Sequence, residues 1–165
     1  DTETLVPDVP NIDENTPISS NGQVYLPIET EDEDIEVEEK DDEPQESTYK
    51  EADQTSDVKT SVKEKEITVD TNQITIAYNN TSETEYTYGK RPLLEKKVDG
   101  KWYLVPTLDV MWDAMAYIMP SNEITEEVFD IDFNYGELEV GEYRYIKHLY
   151  SSNDPTFTIV EFEIK

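Results

Sequence analysis

The chain is 165 residues long, a length that suits about one domain, and its 40 acidic against 13 basic side chains give a formal charge of −27. Such a charge repels phosphate backbones and anionic membrane surfaces, so nucleic acid is excluded as a partner, while cations, basic proteins and neutral glycans remain. The absence of cysteine excludes disulfides, thiolate metal sites and cysteine nucleophiles.

The charge is unevenly spread. Residues 1–64 hold 21 acidic and 4 basic side chains; residues 65–165 hold 19 and 9. The first part contains two aromatics, Tyr25 and Tyr49, and all Phe and Trp lie in the second. Apolar burial offsets chain entropy, so the expected division is an acidic, largely irregular stalk or linker over residues 1–64 and a folded domain over residues 65–165. Pro7, Pro10 and Pro17 mark an extended lead. In "GQVYLPIET" (residues 22–30), Val24, Leu26 and Ile28 alternate, which reads either as a short strand docked over residues 23–28 or as a chance pattern. Residues 29–47 are so densely acidic that like charges keep them open. No glycine lies between Gly22 and Gly89, which removes an EF-hand and leaves weak, diffuse divalent-cation binding. No run of 18 apolar residues exists, so no membrane span is expected, and the start at Asp1 without Met is that of a mature or trimmed form.

From about Lys65 the texture becomes that of strands. Ile67, Val69, Ile74, Ile76 and Tyr78 alternate, with a turn or kink at residues 70–72. In "LLEKKVDGKWYLVP" (residues 93–106) two runs flank Asp99-Gly100, the pair favoured where both central turn residues take positive φ, so a type I′ hairpin is expected. Trp102 and Leu104 then share one face, Trp102 filling the core, and Pro106 ends the second strand. Residues 113–120, "DAMAYIMP", fit a short helix or a strand; the strand is favoured because eight residues make a poor isolated helix. In residues 124–133 a half-buried strand places Phe129, Ile131 and Phe133 inward and Asp130 and Asp132 outward. Gly136 and Gly141 punctuate a corner ahead of Tyr143. Leu138, Gly141 and Tyr143 at this chain position match a tyrosine corner, in which the Tyr hydroxyl bonds upstream backbone. The strand 143–150 carries apolar side chains in both phases, so its outer face needs a cover: a partner or the N-terminal segment, with "VYLPI" (residues 24–28) as the intramolecular candidate. In the last strand the apolar phase slips between Ile159 and Val160, which predicts a β-bulge. About seven short strands with frequent turn signals indicate an all-β sandwich.

Chemistry is sparsely signalled. His148, the only histidine, lacks a nucleophile-and-acid signature and reads as a surface or partly packed side chain. One histidine without cysteine makes a zinc site improbable. Asp130 and Asp132 read as solvated surface acids rather than a glycosidase pair. No Gly-rich phosphate loop is present. No catalytic residue, metal or cofactor is expected. The aromatics Tyr103, Trp112, Tyr117, Tyr145 and Tyr150 are the candidate binding residues, since exposed rings stack on sugars and anchor protein interfaces.

Five stretches, Tyr88-Gly89, Leu94-Glu95-Lys96, Asp99-Gly100-Lys101-Trp102-Tyr103, Tyr135-Gly136-Glu137-Leu138 and Gly141-Glu142-Tyr143-Arg144, occur in an order and spacing that resemble a bacterial immunoglobulin-like domain of secreted proteins and lipoproteins from Gram-positive bacteria. The resemblance covers residues 67–164, about three-fifths of the chain, and Arg91-Pro92 departs from it. It implies an Ig-like Greek-key β-sandwich, an extracellular or cell-surface location with a lipid anchor upstream, and no catalytic residues. The expected function is a non-catalytic exported module that binds a protein or glycan, or a structural spacer without a ligand of its own.

Overall fold

Alternation in the sequence becomes nine strands in the computed structural model, which describes residues 43–152 and 154–165. The strands are β1 (Val58–Val62), β2 (Gln73–Asn80), β3 (Tyr86–Tyr88), β4 (Leu93–Val98), β5 (Lys101–Leu104), β6 (Tyr117–Met119), β7 (Ile124–Asp130), β8 (Gly141–Tyr150) and β9 (Pro155–Ile164); a short helix α1 (Ile131–Tyr135) follows β7. One antiparallel sheet runs β1-β2-β7. The other runs β5-β4-β8-β3-β6, with β9 on the opposite edge of β8. Ile74, Ile76 and Tyr78 of β2 and Phe129 of β7 pack with Leu94 of β4 and Tyr143, Tyr145 and Leu149 of β8 in one core. The domain is an all-β, Ig-like sandwich. β1 and β3 are the strands beyond the expected seven. Ile67 joins the core from a loop, and β2 itself starts at Gln73.

The hairpin forms as its turn chemistry dictates. Asp99 and Gly100 both take positive φ, 50° and 79°, and Val98 pairs with Lys101. Trp102, however, does not fill the core. It is half-buried on the other face of the sheet, where the Arg144 guanidinium lies 4.6 Å from its ring and the Lys97 ammonium 5.5 Å. At the corner, the Tyr143 hydroxyl donates to the Glu139 carbonyl at 2.8 Å. Leu138 packs against the core beside it, and a side chain at Gly141 (φ 152°) would meet Lys96 Cε at 3.0 Å.

Three other expectations are corrected. β9 pairs with β8 without a slip from Gly141↔Ile164 to Tyr150↔Pro155, so there is no bulge at residues 159–160. The phase slip has another cause: Thr158 and Ile164 are buried in the inward phase, while Phe157 and Ile159 are covered from outside. β7 stops at Asp130 rather than running to Phe133. The Asp130 side chain accepts from the Phe133 N–H at 2.9 Å, an N-cap that starts α1 and turns Phe133 out to solvent. Within residues 113–120 only Tyr117–Met119 is strand.

The compact unit is Glu43–Lys165, so the boundary expected at residues 64 and 65 falls inside it. The reason is a polar strap whose backbone uses sheet edges. Leu104 N–H donates to the Gln45 carbonyl and Ser47 N–H to the Trp102 carbonyl; the chain then crosses to β9, where Thr55 N–H donates to the Phe157 carbonyl. Between these anchors, Tyr49 packs edge-on against Phe157 at 5.2 Å and hydrogen-bonds His148. The strap is the cover that the two-sided β8 required. Residues 23–28 and most of the acidic run lie outside the described residues.

Removing the corner hydroxyl leaves the Glu139 carbonyl without that donor. Tyr143→Phe should lower stability by about 1 kcal/mol in denaturant unfolding; an unchanged midpoint would show that the hydroxyl contributes nothing.

Candidate functional site

β8 carries charge on both faces, and each charge is paired. Inward, Lys147 lies 3.1 Å from Glu127 of β7, and both side chains are buried. The Lys147 ammonium also donates to the Gly89 carbonyl at 2.9 Å, and the Tyr78 hydroxyl donates to Glu127 at 2.7 Å. Burial raises the Tyr78 and Tyr145 hydroxyl pKa values well above the ordinary tyrosine value, keeping both as protonated donors at neutral pH. Burial lowers the Lys147 pKa, and Glu127 opposes that shift. Outward, Arg144 pairs with Glu95 beneath the strap and donates to Ser47 Oγ at 2.9 Å and the Tyr49 carbonyl at 3.0 Å.

The same strand shapes a cleft. β4 pairs with β8 up to Leu93↔Ile146, and β3 resumes at Thr87↔Tyr150. Residues 88–92 therefore span three positions of β8, two residues too many for a continuous ladder. Pro92 has no N–H to donate, which favours the break at this point. Beside this interruption lies a cleft of about 550 Å³, bordered by Arg91, Pro92, Val105, Tyr135, His148 and Tyr150 among others. Tyr135 is 7% exposed, and its buried hydroxyl has no hydrogen-bond partner among the described residues.

A second feature lies on the connection from β5 to β6 and on α1. Met111 is 91% exposed, and Leu108, Met115 and Phe133 are exposed as well. Met111, Trp112, Phe133 and Val128 border a cleft of about 220 Å³ with Lys90, Asp113 and Asp130 at its polar positions. Trp112 Nε1–H donates to Asn134 Oδ1 at 2.6 Å, and the Arg91 guanidinium lies 5.4 Å from its ring.

The expected aromatics do not form one platform. Tyr145 is 1% exposed, a core residue 4.8 Å from Phe129, and is withdrawn as a surface contact. Tyr103 is half-buried on β5 and bridges to Glu46 of the strap. Tyr117 donates to Asp113 Oδ2 at 2.9 Å, with the Lys90 ammonium 4.7 Å from its ring. Tyr150 borders the larger cleft and Trp112 the smaller. Asp130 is occupied by its cap and by Gln73 at 2.7 Å, not by a carboxylate partner. Among the described residues no three His, Asp or Glu side chains converge as a metal site. Met115 went unnoticed as a surface residue because residues 113–120 read as helix or strand; the signal was Met111 and Met115 flanking Trp112, Asp113 and Ala114.

A family model described as a bacterial Ig-like domain matches residues 54–162, starting where the strap ends. No curated protein matches the chain.

His148 Nε2 and the Tyr49 hydroxyl share a hydrogen bond at 2.7 Å, and the His148 pKa is held below the ordinary imidazole value by burial first and by Lys147 second. The unfolded chain thus takes up a proton that the folded domain resists. The contribution is complete above about pH 6.5 and is lost as pH falls through the depressed value. The stability of the parent relative to His148→Gln should therefore shrink between about pH 7.5 and pH 5.5 in paired denaturant titrations; a difference independent of pH would contradict this.

Proposed function

The chain belongs to the bacterial Ig-like domain family, and we propose that it is an exported, non-catalytic module that binds a protein through the connection between β5 and β6. The carrying observation is Met111, 91% exposed and bordering one cleft with the exposed Phe133 and Val128, on an otherwise highly charged chain. Exposed apolar groups gathered on one face mark interaction sites. Their chemistry favours protein over glycan. Sugars stack on flat aromatic faces, whereas Met111 and Val128 offer a flexible thioether and an aliphatic group beside the Phe133 ring, a mixture that repacks against a protein surface. Asp109, Asp113, Asp130 and Asp132 lie in the same segments, so a partner with basic residues around an apolar anchor suits the surface.

The non-catalytic reading is supported by the buried ionisable groups. Glu127, Lys147, Glu95 and Arg144 are all committed to one another or to backbone and hydroxyl partners. Membership of the family supports an exported location, and among the described residues no helix is long and apolar enough to cross a membrane. A second reading, a spacer with no ligand, draws on the acid density of the sequence over residues 29–47, which suits diffuse uptake of cations.

Binding of the whole chain to a bacterial envelope preparation tests the reading, using untreated and protease-treated material. Binding should be lost on protease treatment, and Met111→Asp with Met115→Asp should weaken it by about tenfold or more. Binding that survives protease would point to a glycan, and binding indifferent to the two substitutions would remove this surface as the site. No binding at all would leave the spacer reading.

A further inference from the structure

The larger cleft has an electrostatic character opposite to that of the chain. No Asp or Glu borders it, although the formal charge is −27. Arg91 stands exposed on its rim, and among the described residues it forms no ion pair. Its guanidinium is held against the Trp112 ring instead. An aromatic stack covers a face of a guanidinium and leaves free the edge N–H groups, which are the ones that grip a carboxylate in bidentate fashion. Lys147 also borders the cleft, but its ammonium is engaged by Glu127 and the Gly89 carbonyl. The cleft thus offers one uncommitted positive charge.

The remaining walls are apolar or amphipathic. Pro92 and Val105 supply aliphatic surface, and the half-exposed Tyr150 ring supplies a flat one. Tyr135 adds a hydroxyl that is buried and without a partner. A volume of about 550 Å³ falls within the range of small-ligand sites, which combine apolar walls with a few convergent polar groups. One free charge suits a monoanion, and the strongly negative field of the chain penalises multiply charged ligands such as phosphates.

We propose that this cleft binds a ligand bearing a single carboxylate on an apolar body, with Arg91 as its anchor. Such a group occurs on small organic acids and at the C-terminus of an apolar peptide. The site shares no lining residue with the Met111 cleft and meets it through the Arg91–Trp112 contact, so its test does not rely on the Met111 surface being a binding site.

The test is calorimetric titration of the full chain with 4-phenylbutyrate, with the acetylated tripeptide Val-Leu-Phe carrying a free C-terminal carboxylate, and with the same tripeptide as its C-terminal amide. Saturable binding of at least one carboxylate probe is expected, with no binding of the amide; the probe that binds identifies the source. Arg91→Gln, at an exposed position that leaves the core intact, should weaken binding at least about fivefold, whereas Lys90→Gln, which removes the adjacent charge, should change it by less than about twofold. The proposal is overturned if neither carboxylate saturates by about 10 mM, if the amide binds equally well, if Arg91→Gln weakens binding less than about fivefold, or if Lys90→Gln weakens it by about twofold or more.

Discussion

The ion pair between Glu127 and Lys147 is the constraint around which the domain is arranged. It joins the two sheets through their interior, Glu127 from β7 and Lys147 from β8. Removing two charges from water costs several kcal/mol for each ion, and mutual attraction alone does not reliably offset that. Here the remaining hydrogen-bonding capacity is filled. Tyr78 donates to the carboxylate, the Gly89 carbonyl accepts from the ammonium, and the Tyr88 and Tyr145 rings lie 5.4 Å from the ammonium. A slip of one residue in either strand would turn one charge outward and strand the other in the core, so the pair selects the register of both sheets.

That pair also links the interior to the surface. The Gly89 carbonyl belongs to the segment that replaces a continuous ladder between β3 and β4, and Lys147 holds it from beneath. The shape of the large cleft is thus tied to a core ion pair. On the other face of β8, Arg144 lies between Glu95, the Trp102 ring and the strap. This second pair is shielded by residues 45–55, which attach to the β5 edge at one end and the β9 edge at the other. With a strap on one side and a sheet on the other, β8 tolerates charged residues in both phases.

Local chemistry made part of this legible. Asp99-Gly100 announces its turn because few other pairs accept positive φ twice, and Tyr143 after Gly141 announces its corner. Inward phase alone would also have placed Glu127 between Thr125 and Phe129 and Lys147 between Tyr145 and Leu149; each charge in a core phase was a signal that the other had to exist. The strap was illegible because its binding is mostly backbone hydrogen bonding by a polar, aperiodic segment. Its effect was visible only indirectly, as a false bulge in β9 and an unexplained outer face on β8. α1 imitated a strand because Ile131 and Phe133 alternate, and the Asp130 cap was the competing signal. The aromatics were unreadable as a site because burial depends on tertiary placement: the same residue type is core at Tyr145 and rim at Tyr150.

A double-mutant cycle on Glu127→Gln and Lys147→Met, read by denaturant unfolding, tests the central role of the core pair most directly. If the pair organises the sandwich, each single variant loses about 3–5 kcal/mol, and the double variant loses clearly less than the two losses added together. Losses that simply add would contradict the account, because they would mean that the two side chains stabilise the sheets independently.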